Sequence, residues 1–171
     1  MGKPQILVVG YGEDHCPPAA YQLAYRVGRA VARRGAILVT GGLRGVMEAA
    51  SRGAKEEGGV VVGIIPQEDK VYANPYCDIV IPTGIGYTRD FITAYSADAV
   101  IIVGGGAGTA IEAFVAYFKA KPIVALVGSG GIADRIAGSY IDDRHLVKVI
   151  GEEDPEKAVE VALNLLKTTP S

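Results

Sequence analysis

Seven short apolar runs, alternating with stretches of helical periodicity, leave this chain few folds to choose from. The runs are Ile6–Gly10, Ala36–Thr40, Val60–Ile65, Asp78–Ile81, Ala99–Val103, Ile123–Val127 and Leu146–Ile150. Several are continuous Val, Ile and Leu rather than alternating, the pattern of strands buried on both faces of a parallel sheet. Helices are predicted over Pro18–Arg33, Gly45–Glu57, Arg89–Ser96, Thr109–Ala120 and Pro155–Lys167, with a weaker one over Ile132–Gly138. In the first, Leu23, Val27, Ala30 and Val31 form one stripe; in the fourth, Ile111, Phe114, Val115 and Phe118 do. The alternation predicts an α/β fold, a doubly wound and mostly parallel seven-stranded sheet with helices on both faces. With no linker or repeat, one domain over residues 1–171 is expected.

Bulk properties exclude several functions. The 17 basic and 19 acidic residues are well mixed and give a net charge of −2, so no basic block points to nucleic acid. No apolar run approaches the roughly 20 residues of a membrane helix, and the first residues lack the apolar core of a signal peptide. Cys16 and Cys77 stand apart with no CxxC spacing. A cytoplasmic protein without disulfides is expected.

The 23 glycines are nearly twice the roughly 12 expected at the usual ~7%. Fourteen of them follow predicted strands: Gly10, Gly12, Gly41, Gly42, Gly45, Gly84, Gly86, Gly104, Gly105, Gly106, Gly108, Gly128, Gly130 and Gly131. In doubly wound sheets ligands bind outside the carboxyl ends of the strands. Gly10-Tyr11-Gly12 opens like a dinucleotide fingerprint, but the third glycine is missing. The second strand ends in Thr40-Gly41-Gly42 and not in a ribose-binding acid, which argues against an NAD site. Thr40-Gly41-Gly42-Leu43-Arg44-Gly45 and Gly104-Gly105-Gly106-Ala107-Gly108-Thr109 each lead into a helix. Such loops converge amide groups on an anion, helped by the helix dipole. Neither ends in Gly-Lys-Ser/Thr, so neither is a P-loop.

Four further features have two readings each. Thr109-Ala110-Ile111-Glu112 fits a capping box, which the spacing favours, or places Glu112 in the cleft. Arg89 and Arg44 stand near helix starts, where a cation is unfavourable unless an anion binds; the other reading is a solvated arginine, with Asp90 compensating Arg89. His15, Cys16 and His145 lack metal-ligand spacing, and no metal site is expected. Tyr11, Tyr87 and Tyr95 could stack on a heterocycle, but core or rim packing is the expected role.

The segment Gly104 to Glu112 resembles the Pro-Gly-Gly-x-Gly-Thr-x-x-Glu motif of the Lonely Guy proteins, formerly labelled lysine decarboxylases. Thr40 to Met47 resembles their first Gly-rich loop and Gly59 to Pro66 their third strand, with Lys121-Pro122 following in place. The likeness covers nearly the whole chain. It implies a Rossmann-like fold with strand order 3-2-1-4-5-6-7. Enzymes of that family hydrolyse the N-glycosidic bond of cytokinin nucleoside 5′-monophosphates, and by position their essential pair falls on Arg89 and Glu112. The match is incomplete: Asp90 stands for a lysine, Tyr87-Thr88 for the residues before the arginine, and Gly104 for the proline. The triple glycine is similar to a sister group, the molybdenum cofactor carrier proteins, which bind a phosphorylated pterin without turnover. The resemblance therefore implies a binder of a phosphorylated nucleotide-like or pterin ligand. The phosphate would be held by Gly105, Gly106, Gly108 and Thr109, facing Gly41, Gly42, Arg44 and Gly45. The alternative is a nucleoside 5′-monophosphate phosphoribohydrolase. No cofactor is required by either reading, although a nucleotide monophosphate or a molybdopterin-type ligand could be carried. A dimer or larger homo-oligomer is expected, with neither nucleic acid nor membrane as partner.

Overall fold

The computed structural model describes residues 2–168; Met1 and residues 169–171 of the expected domain lie outside the described residues. Seven strands form one sheet: β1 (Gln5–Gly10), β2 (Ile37–Thr40), β3 (Val61–Ile65), β4 (Ile79–Pro82), β5 (Ala99–Val103), β6 (Ile123–Leu126) and β7 (Val149–Glu152). Every neighbouring pair is parallel. Among the described residues six α-helices cover the sheet: α1 (Pro18–Arg33), α2 (Val46–Glu56), α3 (Arg89–Ser96), α4 (Ala107–Phe118), α5 (Gly131–Ile136) and α6 (Pro155–Thr168). The doubly wound α/β class is the one the apolar runs predict.

Successive strand residues feed two cores. Ile6 and Val8, Leu38, and Ala99, Ile101 and Val103 pack under α1, α2 and α6. Leu7 and Val9, Val39, and Val100 and Ile102 pack under α3, α4 and α5. A strand with apolar side chains on both sides can only lie inside a layered structure.

The strand order is β4-β3-β2-β1-β5-β6-β7. The expected order 3-2-1-4-5-6-7 holds along β3-β2-β1 and along β5-β6-β7, and differs at β4. This strand lies at the outer edge beside β3, and β5 takes the place next to β1. The reason is solvation. Ile79 and Ile81 of β4 are about half exposed, while all five residues of β5 are buried. Pro82 also lacks the amide that a central strand would donate. The seventh strand begins at Val149 rather than at Leu146. Lys148 forms an antiparallel bridge with Tyr140, and the Leu146 amide donates to the Tyr117 hydroxyl, 3.2 Å away.

Lys121, the lysine of the Lys121-Pro122 pair, is a structural cap. Its Nζ donates to the carbonyls of Ala94, Tyr95 and Ala97 at 2.8, 2.8 and 2.6 Å, satisfying the open end of α3. Lys121→Met would strand these three acceptors, and urea denaturation should show a loss of about 2 kcal/mol. Among the described residues, no helix is long and apolar enough to cross a membrane.

Candidate functional site

The order in which the chain lays down its strands reverses between β1 and β5, although the two are parallel. β1 leads outward through β2 and β3 to β4, and the chain then returns to lay β5 on the other side of β1. The connections leaving these two strands diverge there and open a crevice, the usual ligand position in such sheets. A cleft of about 540 Å³ occupies it, within the usual size of small-molecule sites. Its wall is drawn from four segments at or after strand ends. Val9 and Gly10 end β1, and Tyr11, Gly12 and His15 follow it; Gly41 and Met47 follow β2; Tyr87, Arg89 and Asp90 follow β4; Gly106, Gly108, Thr109 and Glu112 follow β5.

The two Gly-rich loops serve different ends. At the start of α2 the Val46 amide donates to the Tyr11 carbonyl at 2.9 Å, so part of that helix end is filled by protein. At α4 the cap is Gly106; no side chain caps the helix and no acid sits in its first turn. The α6 end shows the contrast: Asp154 accepts from the Glu156 and Lys157 amides. The first amides of an α-helix have no partner within the helix, and the cleft opens on those of α4. Thr109 does not cap either. Its hydroxyl donates to the Gly10 carbonyl at 3.0 Å and ties α4 to the end of β1. The favoured capping box is thus corrected: Gly106 is the cap, and Glu112 lies one turn further in, facing the cleft.

Gly104 has φ +62°. A proline, fixed near −65°, cannot occupy that conformation, so the loop departs in backbone as well as in sequence from the motif that begins with proline. A side chain at position 104 would also strike the Tyr11 ring, with its first carbon only 2.0 Å away. Tyr11 is held there as a wall of the cleft.

Arg89 and Glu112 reach the same cleft from α3 and α4, both buried. Arg89 Nη1 donates to the carbonyls of Gly41 (2.5 Å) and Ile64 (2.6 Å), and Nε pairs with Asp90 at 3.1 Å. Burial pushes the Asp90 carboxyl up, opposed by the Arg89 charge. Burial is also the main influence on Glu112; with the negative Asp90 nearby, its carboxyl is pushed up to about 8. Its Oε1 lies 2.7 Å from the Thr93 hydroxyl.

Of the expected phosphate-binding residues, Gly41, Gly106, Gly108 and Thr109 line the cleft, and Gly42, Arg44, Gly45 and Gly105 do not. Gly42 donates its amide to the Thr40 hydroxyl. Arg44 turns along α2 to Glu48, at 2.6 Å, and stays half exposed. Gly45 packs on the backbone of Tyr11 and Gly12, and the Gly105 carbonyl accepts from the Ile132 amide. Sequence reasoning missed Asp90 and Thr93 as site residues. One signal was present: Arg89 and Thr93 are four apart on one helix, so they share a face. Tyr95 is exposed and lies under the Lys119 ammonium, away from the cleft. Among the described residues, no group of three or more His, Cys, Asp or Glu could hold a metal ion.

Fold and cleft together define a Rossmann-like α/β protein with a ligand crevice at its topological switch point. The chain belongs to the SLOG cluster4 family, whose model matches residues 3–159. It is similar to a molybdenum cofactor binding protein from Rippkaea orientalis, with 33% identity and a TM-score of 0.86, covering 97% of this chain and 99% of that one. It is also similar to the Moco carrier protein of Chlamydomonas reinhardtii, with 34% identity and a TM-score of 0.85, covering 98% and 100%. A cytokinin riboside 5′-monophosphate phosphoribohydrolase of Mycobacterium tuberculosis is 39% identical over 113 residues, 60% of each chain.

Proposed function

We propose that the protein binds a phosphorylated small molecule, nucleotide-like or pterin in nature, in the cleft between β1 and β5, and does so as a carrier. The observation that supports this most is the start of α4, which no side chain caps and which opens on the cleft with Gly106, Gly108 and Thr109 on its wall. An anion placed there would satisfy free amides and favour the helix dipole. The likeness to molybdenum cofactor carriers over nearly the whole chain supports a molybdopterin-type ligand.

A second reading is favoured by one observation: Arg89 and Glu112 line this same cleft. In it the protein is a phosphoribohydrolase. Glycosidic cleavage passes through an oxocarbenium-like state, and an acidic side chain beside it is the group such chemistry uses. Here Arg89, committed to two carbonyls, would position the site rather than touch the substrate. Incubation with AMP separates the readings. Saturable binding with no free adenine is the expected result. Adenine release that disappears in Glu112→Ala would replace the carrier reading with the hydrolase.

The same proposal includes a homo-oligomer in the cytoplasm. Phe91, Tyr95, Ile111, Phe114 and Phe118 leave an exposed apolar surface on the neighbouring helices α3 and α4, of the kind that marks an interface.

A further inference from the structure

Thr93 is fully buried on α3. Its hydroxyl oxygen lies 2.9 Å from the Asp90 carbonyl oxygen and 2.7 Å from Oε1 of Glu112. A hydroxyl has one hydrogen, a carbonyl can only accept, and an ionised carboxylate can only accept. One hydrogen leaves two arrangements: Thr93 gives it to a Glu112 carboxylate, which holds that acid lower and leaves the Asp90 carbonyl unbonded, or Glu112 supplies a second proton and both contacts are bonds. In the second, Thr93 donates to the Asp90 carbonyl, the usual backward bond of a helical threonine, and accepts from the Glu112 acid.

The surroundings agree. Arg89 gives Nη1 to two carbonyls, and its Nε is ion-paired with Asp90 without a hydrogen bond. Asp90 contributes a second negative charge. Tyr11 and His15 from the β1 loop and Tyr87 before α3 are the other titratable groups on the cleft wall. On α5, the Asp134 carboxylate accepts from the Gly128 and Gly130 amides. β1 and β5 present apolar residues to α4.

We infer that Thr93 is a positioning residue that holds Glu112 as a neutral, proton-bearing acid, so that the cleft can admit a phosphorylated ligand beside Asp90. The inference rests on the ligand reading above for its consequence, but not for its geometry. A neutral acid adds no charge to the cleft, whereas an ionised one would set a second negative charge against the phosphate. Ligand affinity is therefore highest below the Glu112 midpoint and falls above it.

The test is a pH titration of the whole protein carrying carboxyl-labelled glutamate, followed by carbon NMR. Glu112→Gln removes one resonance and so assigns it. That resonance is expected to titrate near 8, as burial dictates, and well above an ordinary glutamate at about 4.3. Thr93→Val should lower the midpoint, because the acid loses its acceptor, and Thr93→Ser should restore it. In parallel, AMP affinity should fall about tenfold per pH unit above the midpoint. An ordinary wild-type midpoint would overturn the inference even if Thr93→Val fails to fold. An upward shift in Thr93→Val would also overturn it, since the hydroxyl would then donate to a carboxylate. So would AMP affinity that does not change across the midpoint. If the midpoint behaves as expected and AMP binds at no pH, the proton assignment is supported and the ligand reading is the one that fails.

Discussion

Replacing Gly28 with alanine is expected to destabilise the protein by about 3 kcal/mol, although alanine is the better helix former. Gly28 lies inside α1, where the exchange would by itself gain about 1 kcal/mol. Packing reverses the sign. A first side-chain carbon at position 28 would stand 1.9 Å from the Ala50 carbonyl oxygen and 2.7 Å from its carbon, both backbone atoms of α2. Gly53 on α2 makes the reciprocal approach: its added carbon would meet the Tyr25 carbonyl oxygen at 2.1 Å. A backbone cannot rotate aside as a side chain can. The two helices would have to separate, and Val27, Ala30, Ala49 and Ala50, all fully buried, would lose contact in the core they share. Urea denaturation should show the midpoint falling with the slope unchanged. Gly12→Ala is the control, because nothing lies within 4 Å of its added carbon. Equal midpoints for Gly28→Ala and the control would show that α1 and α2 do not touch along these glycines.

Arg89→Met should cost about 3–5 kcal/mol of stability, the usual loss when one member of a buried pair is removed. The guanidinium joins three segments: the end of β2 through Gly41, β3 through Ile64, and α3 through Asp90. Without it two carbonyl oxygens lose their donor, and Asp90 keeps a buried charge with no counter-ion. Arg89→Lys should rescue little, since a single ammonium cannot copy the fork that reaches both carbonyls and Asp90. The measurement is again denaturant unfolding, paired with AMP binding. A variant with native stability and altered binding alone would show that Arg89 serves the ligand and not the frame of the cleft.

Both predictions concern residues whose roles the sequence shows only in part. Gly28 fits a helical pattern and reads there as a mild weakness; that α2 presses on it is a long-range fact. Arg89 was legible as a cation in the first turn of a helix, where it calls for an explanation. Its explanation proved to be internal: the carbonyls of Gly41, just after β2, and of Ile64 in β3, 48 and 25 residues earlier in the chain, use the charge. Arg44 posed the same problem and found a local answer in Glu48, one turn along α2. No spacing argument separates these two outcomes, because both arginines sit beside glycine or threonine at a helix start on the same edge.

The sequence by itself determined the alternation of buried strands and helices, the bounds of α1 and α3, and the crowding of glycines at the carboxyl edge. These follow from short-range rules: continuous apolar runs need two covered faces, and α1 follows the periodicity of its apolar stripe, whereas the stripe expected on α4 does not face the core, since Ile111, Phe114 and Phe118 are exposed and only Val115 is buried. Only the tertiary structure decided that β4 lies at the sheet edge, that one Gly-rich loop opens on the cleft while the other is filled by the Tyr11 carbonyl, and that Glu112 turns inward to Thr93 instead of back to its own helix end. Each of these depends on which distant groups share a small volume. Burial, hydrogen-bond counts and charge pairing are settled there, and local sequence does not record them.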